Sequence, residues 1–120
     1  GEVNRRILLV DDDIGMVETL RDILSLHGWE VTPADSGEAA VAAHLESDFD
    51  VVLMDLKMPG MDGVTASRKM RERNPELPVI IMTAHDTANL QHNAEQEGLR
   101  AVVRKPIDMS QLIPMLNAGM

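Results

Sequence analysis

The sequence predicts a doubly wound α/β domain built on five parallel strands in the order 2-1-3-4-5. Two observations carry this expectation. Four short apolar runs are continuous rather than alternating, and each strand candidate is followed by a segment with helical periodicity. Continuous apolarity rich in Val and Ile marks strands covered on both faces by helices. Alternation of strand and helix implies a parallel sheet wound by right-handed crossovers.

The continuous runs are Ile7 to Val10, Val51 to Met54, Val79 to Met82 and Ala101 to Val103, the first, third, fourth and fifth strands. The second strand is expected at Glu30 to Ala34, where Val31 alternates with polar neighbours and Pro33 removes a ladder donor, the signature of a sheet edge. Five strands with an edge-like second one assign the order 2-1-3-4-5, and no G-x-G-x-x-G follows the first strand to favour a dinucleotide-binding alternative.

The first helix spans Asp13 to His27 with Met16, Leu20, Ile23 and Leu24 inward, and Gly28 is placed to end it in a left-handed cap. Ser36 caps a second helix to Ser47, with Ala40, Val41 and Leu45 inward. Gly63 to Arg73 forms a third, with Val64, Ser67 and Met70 inward, stopped by Asn74-Pro75. The fourth, Asp86 to Glu97, offers only Leu90 and Ala94 to a core. The fifth starts near Asp108 and uses Leu112, Ile113 and Leu116; Pro114 is expected to kink it or to push its start later.

The 120 residues, 44% of them apolar, suffice for one buried core and not for two, so residues 1–120 are expected to form a single domain. Eleven basic against twenty acidic residues, a net charge of −9, argue against direct nucleic-acid binding by this domain. The absence of cysteine excludes disulfides and thiolate metal sites. No apolar run approaches the roughly 20 residues of a membrane span and no signal-peptide pattern opens the chain, so a cytoplasmic protein without membrane association is expected.

Ligands of such sheets bind beyond the carboxyl ends of the strands, where the winding direction reverses, here between strands one and three. Strand one runs into Asp11-Asp12-Asp13, strand three into Asp55, strand four into Thr83 and strand five into Arg104-Lys105-Pro106. Clustered carboxylates repel one another unless a cation intervenes, and hard oxygen ligands suit Mg²⁺. A phosphoryl group shared between Mg²⁺ and a lysine needs mainly positioning and charge neutralisation. Asp55 is then the candidate nucleophile, Lys105 the neutralising cation and the Thr83 hydroxyl a donor to a phosphoryl oxygen, while Asp13 reads as a helix cap. Of the histidines, His27 suits a helix C-terminus, His44 an exposed helix face, and His85 with His92 lacks a carboxylate arrangement for zinc.

The segments ILLVDDD (Ile7 to Asp13), VVLMDLKMPGMDG (Val51 to Gly63), IIMTAHD (Ile80 to Asp86) and VVRKP (Val102 to Pro106) resemble the receiver domain of bacterial two-component response regulators, in order and over essentially the whole chain. The resemblance implies a flavodoxin-like (βα)5 fold, with Asp55 as phosphoacceptor and Thr83 and Lys105 touching the phosphoryl group. It implies Mg²⁺ held by Asp12 directly, by Asp11 largely through water, by Asp55 and by the main-chain carbonyl of Lys57. The implied donor is a phosphohistidine on a sensor histidine kinase or phosphotransfer protein. The output is a changed surface around helix four, strand five and helix five, read by an unknown effector domain or partner, with phosphorylation-dependent dimerisation left open.

Two departures stand out. Val102 occupies a position that is aromatic in many receivers, so an aromatic swing cannot report phosphorylation here. Lys57 and His85 occupy the positions that tune phosphoryl lifetime, and their bulk is expected to slow attack by water. Two rival functions are weaker. A phosphohydrolase using aspartyl phosphate would carry a second Asp where Lys57 stands, and a phosphorylation-independent binding module would have no need of the full Asp, Thr and Lys set.

Overall fold

A computed structural model describes residues 5–84, 88–94 and 96–118. The elements follow in strict alternation: β1 (Arg5–Val10), α1 (Ile14–Leu26), β2 (Trp29–Ala34), α2 (Gly37–Glu46), β3 (Val51–Asp55), α3 (Gly63–Arg73), β4 (Val79–Thr83), α4 (Ala88–Asn93), β5 (Ala101–Arg104) and α5 (Met109–Ala118). All strand pairs are parallel and the order is β2-β1-β3-β4-β5, as expected. None of the described helices is long and apolar enough to cross a membrane.

The pleat divides each continuous apolar run between two cores. Ile7, Leu9, Val51, Leu53, Ile80 and Met82 face α1 and α5, where Val17, Leu20, Leu24, Leu112 and Leu116 meet them. Leu8, Val10, Val52, Met54, Val79 and Ile81 face the other way, onto Ala40, Ala66 and Met70. Burying each such Leu or Ile is worth about 1.5–3 kcal/mol, which is why these strands need no polar residue. Leu90 of α4 and Ala94, just past its end, pack against this second core as expected, although the helix stops at Asn93 rather than at the predicted Glu97. The predicted start of that helix, Asp86, lies outside the described residues.

Caps fix the helix starts. Asp13 accepts from the Met16 N–H, Ser36 from Ala39 and Asp62 from Thr65. Gly28, at φ +89, follows α1 in the left-handed region. α5 runs through Pro114 without a delayed start. The orphaned carbonyl four residues earlier belongs to exposed Ser110, where water can satisfy it.

One rotation differs from expectation. In α2 the buried residues are Gly37, Ala40 and His44, while Leu45, expected inward, is 54% exposed. The cause is a close approach at the helix start. A Cβ on Gly37 would lie 2.7 Å from the Met61 carbonyl oxygen, so Gly37 must face the loop before α3. His44, seven residues on, then shares that face and is only 7% exposed.

Buried His44 has its pKa lowered by desolvation and then by Arg73, with Asp48 opposing. A depressed histidine contributes stability that is complete above its ordinary pKa of 6.5 and is lost as pH falls toward the folded value. We expect wild type to lose more melting temperature than His44→Gln, by a few degrees, between pH of about 7.5 and about 5. Equal losses in the two proteins would contradict this reading.

Candidate functional site

Because every strand is parallel, all strand ends meet on one rim, and the backbone aims specific residues into it. Asp11 extends β1 by one residue, its N–H donating to the Ala34 carbonyl at 3.1 Å. Asp55 ends the central strand β3. The loop after it is pinned by Leu56 N–H to Met82 O and Gly63 N–H to Leu56 O, both 2.8 Å. Lys105 is brought over the rim by its own N–H donating to the Thr83 carbonyl at 2.8 Å.

Four of the side chains singled out in the sequence, Asp11, Asp12, Asp55 and Lys105, come together. Lys105 Nζ lies 2.7 Å from Asp11 Oδ2 and 3.2 Å from Asp55 Oδ1. Asp11, Asp12 and Asp55 each offer one oxygen, and the three oxygens lie within 4.8 Å of one another, the one such cluster among the described residues. Asp11 and Asp55 are 2% and 6% exposed, whereas Asp12 is open to solvent. Asp13 is diverted to cap α1, as expected, and Asp11 Oδ1 accepts from its N–H at 3.0 Å. Thr83 is buried at the end of β4. The Lys57 side chain is exposed in the loop after β3, and His85 lies outside the described residues.

Charge explains what the cluster can do. Three carboxylates and one ammonium carry a formal excess of two negative charges, with Asp11 and Asp55 buried and Asp12 exposed. Burial, and then Asp11, push the Asp55 carboxyl above its ordinary range, with Lys105 only partly offsetting them. Burial disfavours the Lys105 ammonium, but its hydrogen bond to Asp11 and the charges of Asp11 and Asp55 outweigh this and raise its pKa. Hard oxygen donors, an unbalanced double negative charge and one solvent-open carboxylate fit a divalent cation such as Mg²⁺.

A stability prediction follows from the raised Asp55 pKa. The neutral form is favoured in the fold, so the contribution is present below the ordinary carboxylate pKa of 3.8 and is lost as pH rises through the folded value. Ionised Asp55 therefore costs stability relative to its neutral form. Asp55→Asn is expected to melt a few degrees higher than wild type in EDTA, with the gap closing or reversing in excess magnesium. A lower melting temperature for the variant in EDTA would refute the electrostatic account.

Sequence reasoning missed Gly63 as part of this site. A Cβ at Gly63 would overlap the Asp55 carbonyl oxygen and lie 3.2 Å from Ile81 Cδ1. The available signal was a glycine at the first position of a helix, where alanine is the better helix former.

The family model for the response regulator receiver domain matches residues 7–117. The chain belongs to this family. It is 34% identical over 111 residues to the DNA-binding transcriptional regulator NtrC of Salmonella typhimurium, covering 92% of this chain and 24% of NtrC. It is 40% identical over 112 residues to the sensor protein GacS of Pseudomonas syringae, covering 89% of this chain and 12% of GacS. The receiver domain thus spans about a quarter or less of the length of these curated relatives.

Among solved structures, a response regulator receiver domain protein from Clostridium thermocellum superposes with a TM-score of 0.89 at 29% identity, covering 95% of this chain and 92% of that one. TrrA of Thermotoga maritima, solved with Mg²⁺ and BeF, gives 0.85 at 25% identity, covering 95% and 97%. This receiver domain is therefore a two-component signalling module, and its aspartate cluster is an acidic pocket of the kind in which receivers bind Mg²⁺.

Proposed function

We propose that residues 1–120 act as one receiver domain that accepts a phosphoryl group on Asp55 from a phosphohistidine of a sensor histidine kinase or phosphotransfer protein. The observation that carries this reading is Lys105 bridging Asp11 and Asp55 beside a cluster of three carboxylates. An Asp55 carboxylate oxygen attacks phosphorus, the new O–P bond forms as the N–P bond breaks, and the departing imidazole keeps the electron pair and takes up a proton.

Asp12, Asp55 and the Lys57 carbonyl would hold Mg²⁺, which when bound neutralises charge building on the transferred oxygens. Asp11 has one oxygen on Lys105 and the other on the Asp13 N–H, which suits a role through water rather than direct ligation. Lys105 orients the phosphoryl oxygens by charge, and Thr83 supplies a hydroxyl at the same rim. Lys57 and His85 would cover the acyl phosphate and slow hydrolysis. The chain would catalyse only its own phosphorylation and dephosphorylation, in the cytoplasm, and pass the signal to an effector domain or partner without itself binding nucleic acid.

Val102 is buried and in register with Ile81, packed within the α3 side of the core. With no aromatic ring there, phosphorylation would be reported by backbone loops. Titration with beryllofluoride and magnesium, followed by fluorine NMR, tests the reading. Binding by wild type that is abolished in Asp55→Asn is the expected result; no binding by wild type would favour a phosphorylation-independent interaction module.

A further inference from the structure

We propose that Glu38 is a positioning residue for the loop that carries Lys57, an inference that rests on the Mg²⁺-dependent reading of the Asp55 site. The loop between β3 and α3 is tied at its base by the Leu56 and Gly63 bonds, and Met58 anchors it in the core. Its tip, Pro59-Gly60-Met61, lies against the start of α2. Gly37 removes the side chain that would block this approach, since a Cβ there would also lie 3.0 Å from Met61 Cβ. Gly60 adopts φ +81, and its Cβ position would fall 2.7 Å from Glu38 Oε2.

Across this contact Glu38 Oε1 accepts from the Met61 N–H at 3.4 Å. The bond is long, but among the described residues it is the side-chain hydrogen bond that joins α2 to the loop tip. Fixing the tip limits the paths open to Lys57 through Gly60, and hence where the Lys57 carbonyl points relative to Asp55. The bland alternative is that Glu38, in the first turn of α2, serves only the helix dipole.

Glu38→Ala and Glu38→Gln separate these roles, because glutamine keeps the acceptor and loses the charge. In the metal-free protein, Met61 amide exchange is expected to quicken about fivefold in the alanine variant, and the magnesium dissociation constant, from NMR titration, to rise about threefold to fivefold. Glutamine should restore most of both. Exchange and affinity within about twofold of wild type in the alanine variant would overturn the proposal, as would a glutamine variant as impaired as alanine. A wild type that fails to bind magnesium would instead overturn the reading of the site, whereas magnesium-binding wild type with unaltered variants overturns only the brace.

Discussion

Lys105→Ala is expected to slow phosphorylation of the receiver by acetyl phosphate by about 10²–10³-fold, the scale set by removing one preorganised group from a site of developing charge. Lys105 is the cation that contacts both Asp11 and Asp55 among the described residues. Without it the phosphoryl oxygens approach a carboxylate cluster that has lost the cation spanning Asp11 and Asp55. The same change affects the resting protein. Two nearly buried carboxylates lose their shared partner, and breaking such a pair costs a few kcal/mol; solvent at the rim trims this to about 2 kcal/mol. Magnesium should therefore raise the melting temperature of the variant more than that of wild type, since the ion takes over the neutralising charge. Wild-type phosphorylation kinetics in Lys105→Ala, or an unchanged response to magnesium, would remove Lys105 from the mechanism.

Gly63→Ala should destabilise the receiver by about 3 kcal/mol, lowering the melting temperature by roughly 10 °C. Helix propensity alone points the other way, since alanine is favoured over glycine by about 1 kcal/mol inside a helix. The two contributions are opposed, and sterics win because the obstructing atom is backbone. The new Cβ would meet the Asp55 carbonyl, held in the central strand, so α3 or the end of β3 must shift. Displacing Asp55 by a fraction of an ångström also degrades alignment for in-line attack, and phosphorylation should slow about tenfold or more. Thermal melts and acetyl phosphate kinetics on the same preparation measure both effects. A variant melting at or above wild type would show that the site tolerates the contact.

Most of the fold was legible because its dominant signals are local and redundant. The Val51 to Met54 and Val79 to Met82 runs can only be strands buried on both faces, and Pro33 places its strand at an edge. Helix rotation was less legible. Leu45 looked inward and His44 outward, yet Gly37 against Met61 turns α2 the other way, a constraint between segments far apart in sequence. In α1 the same ambiguity left Val17 unnoticed beside Met16, although Leu20 and Leu24 are buried as expected.

The candidate site was legible for a topological reason: parallel strands deliver their terminal residues to one rim, so Asp11, Asp12, Asp55, Thr83 and Lys105 could be placed together from strand ends alone. The pairing within the rim could not. Lys105 lies closer to Asp11 than to Asp55, which depends on the backbone path after β5 and leaves no trace in residue type. The part played by Gly63 was hidden similarly, because a missing side chain matters only once its neighbour is known.

Intact-mass measurement after incubation with acetyl phosphate, with and without magnesium, on wild type and Asp55→Asn asks whether Asp55 itself takes the phosphoryl group. One added phosphoryl mass is expected on wild type in magnesium, none in EDTA and none on the variant. The same added mass on Asp55→Asn, or none on wild type with magnesium present, would contradict that role for Asp55.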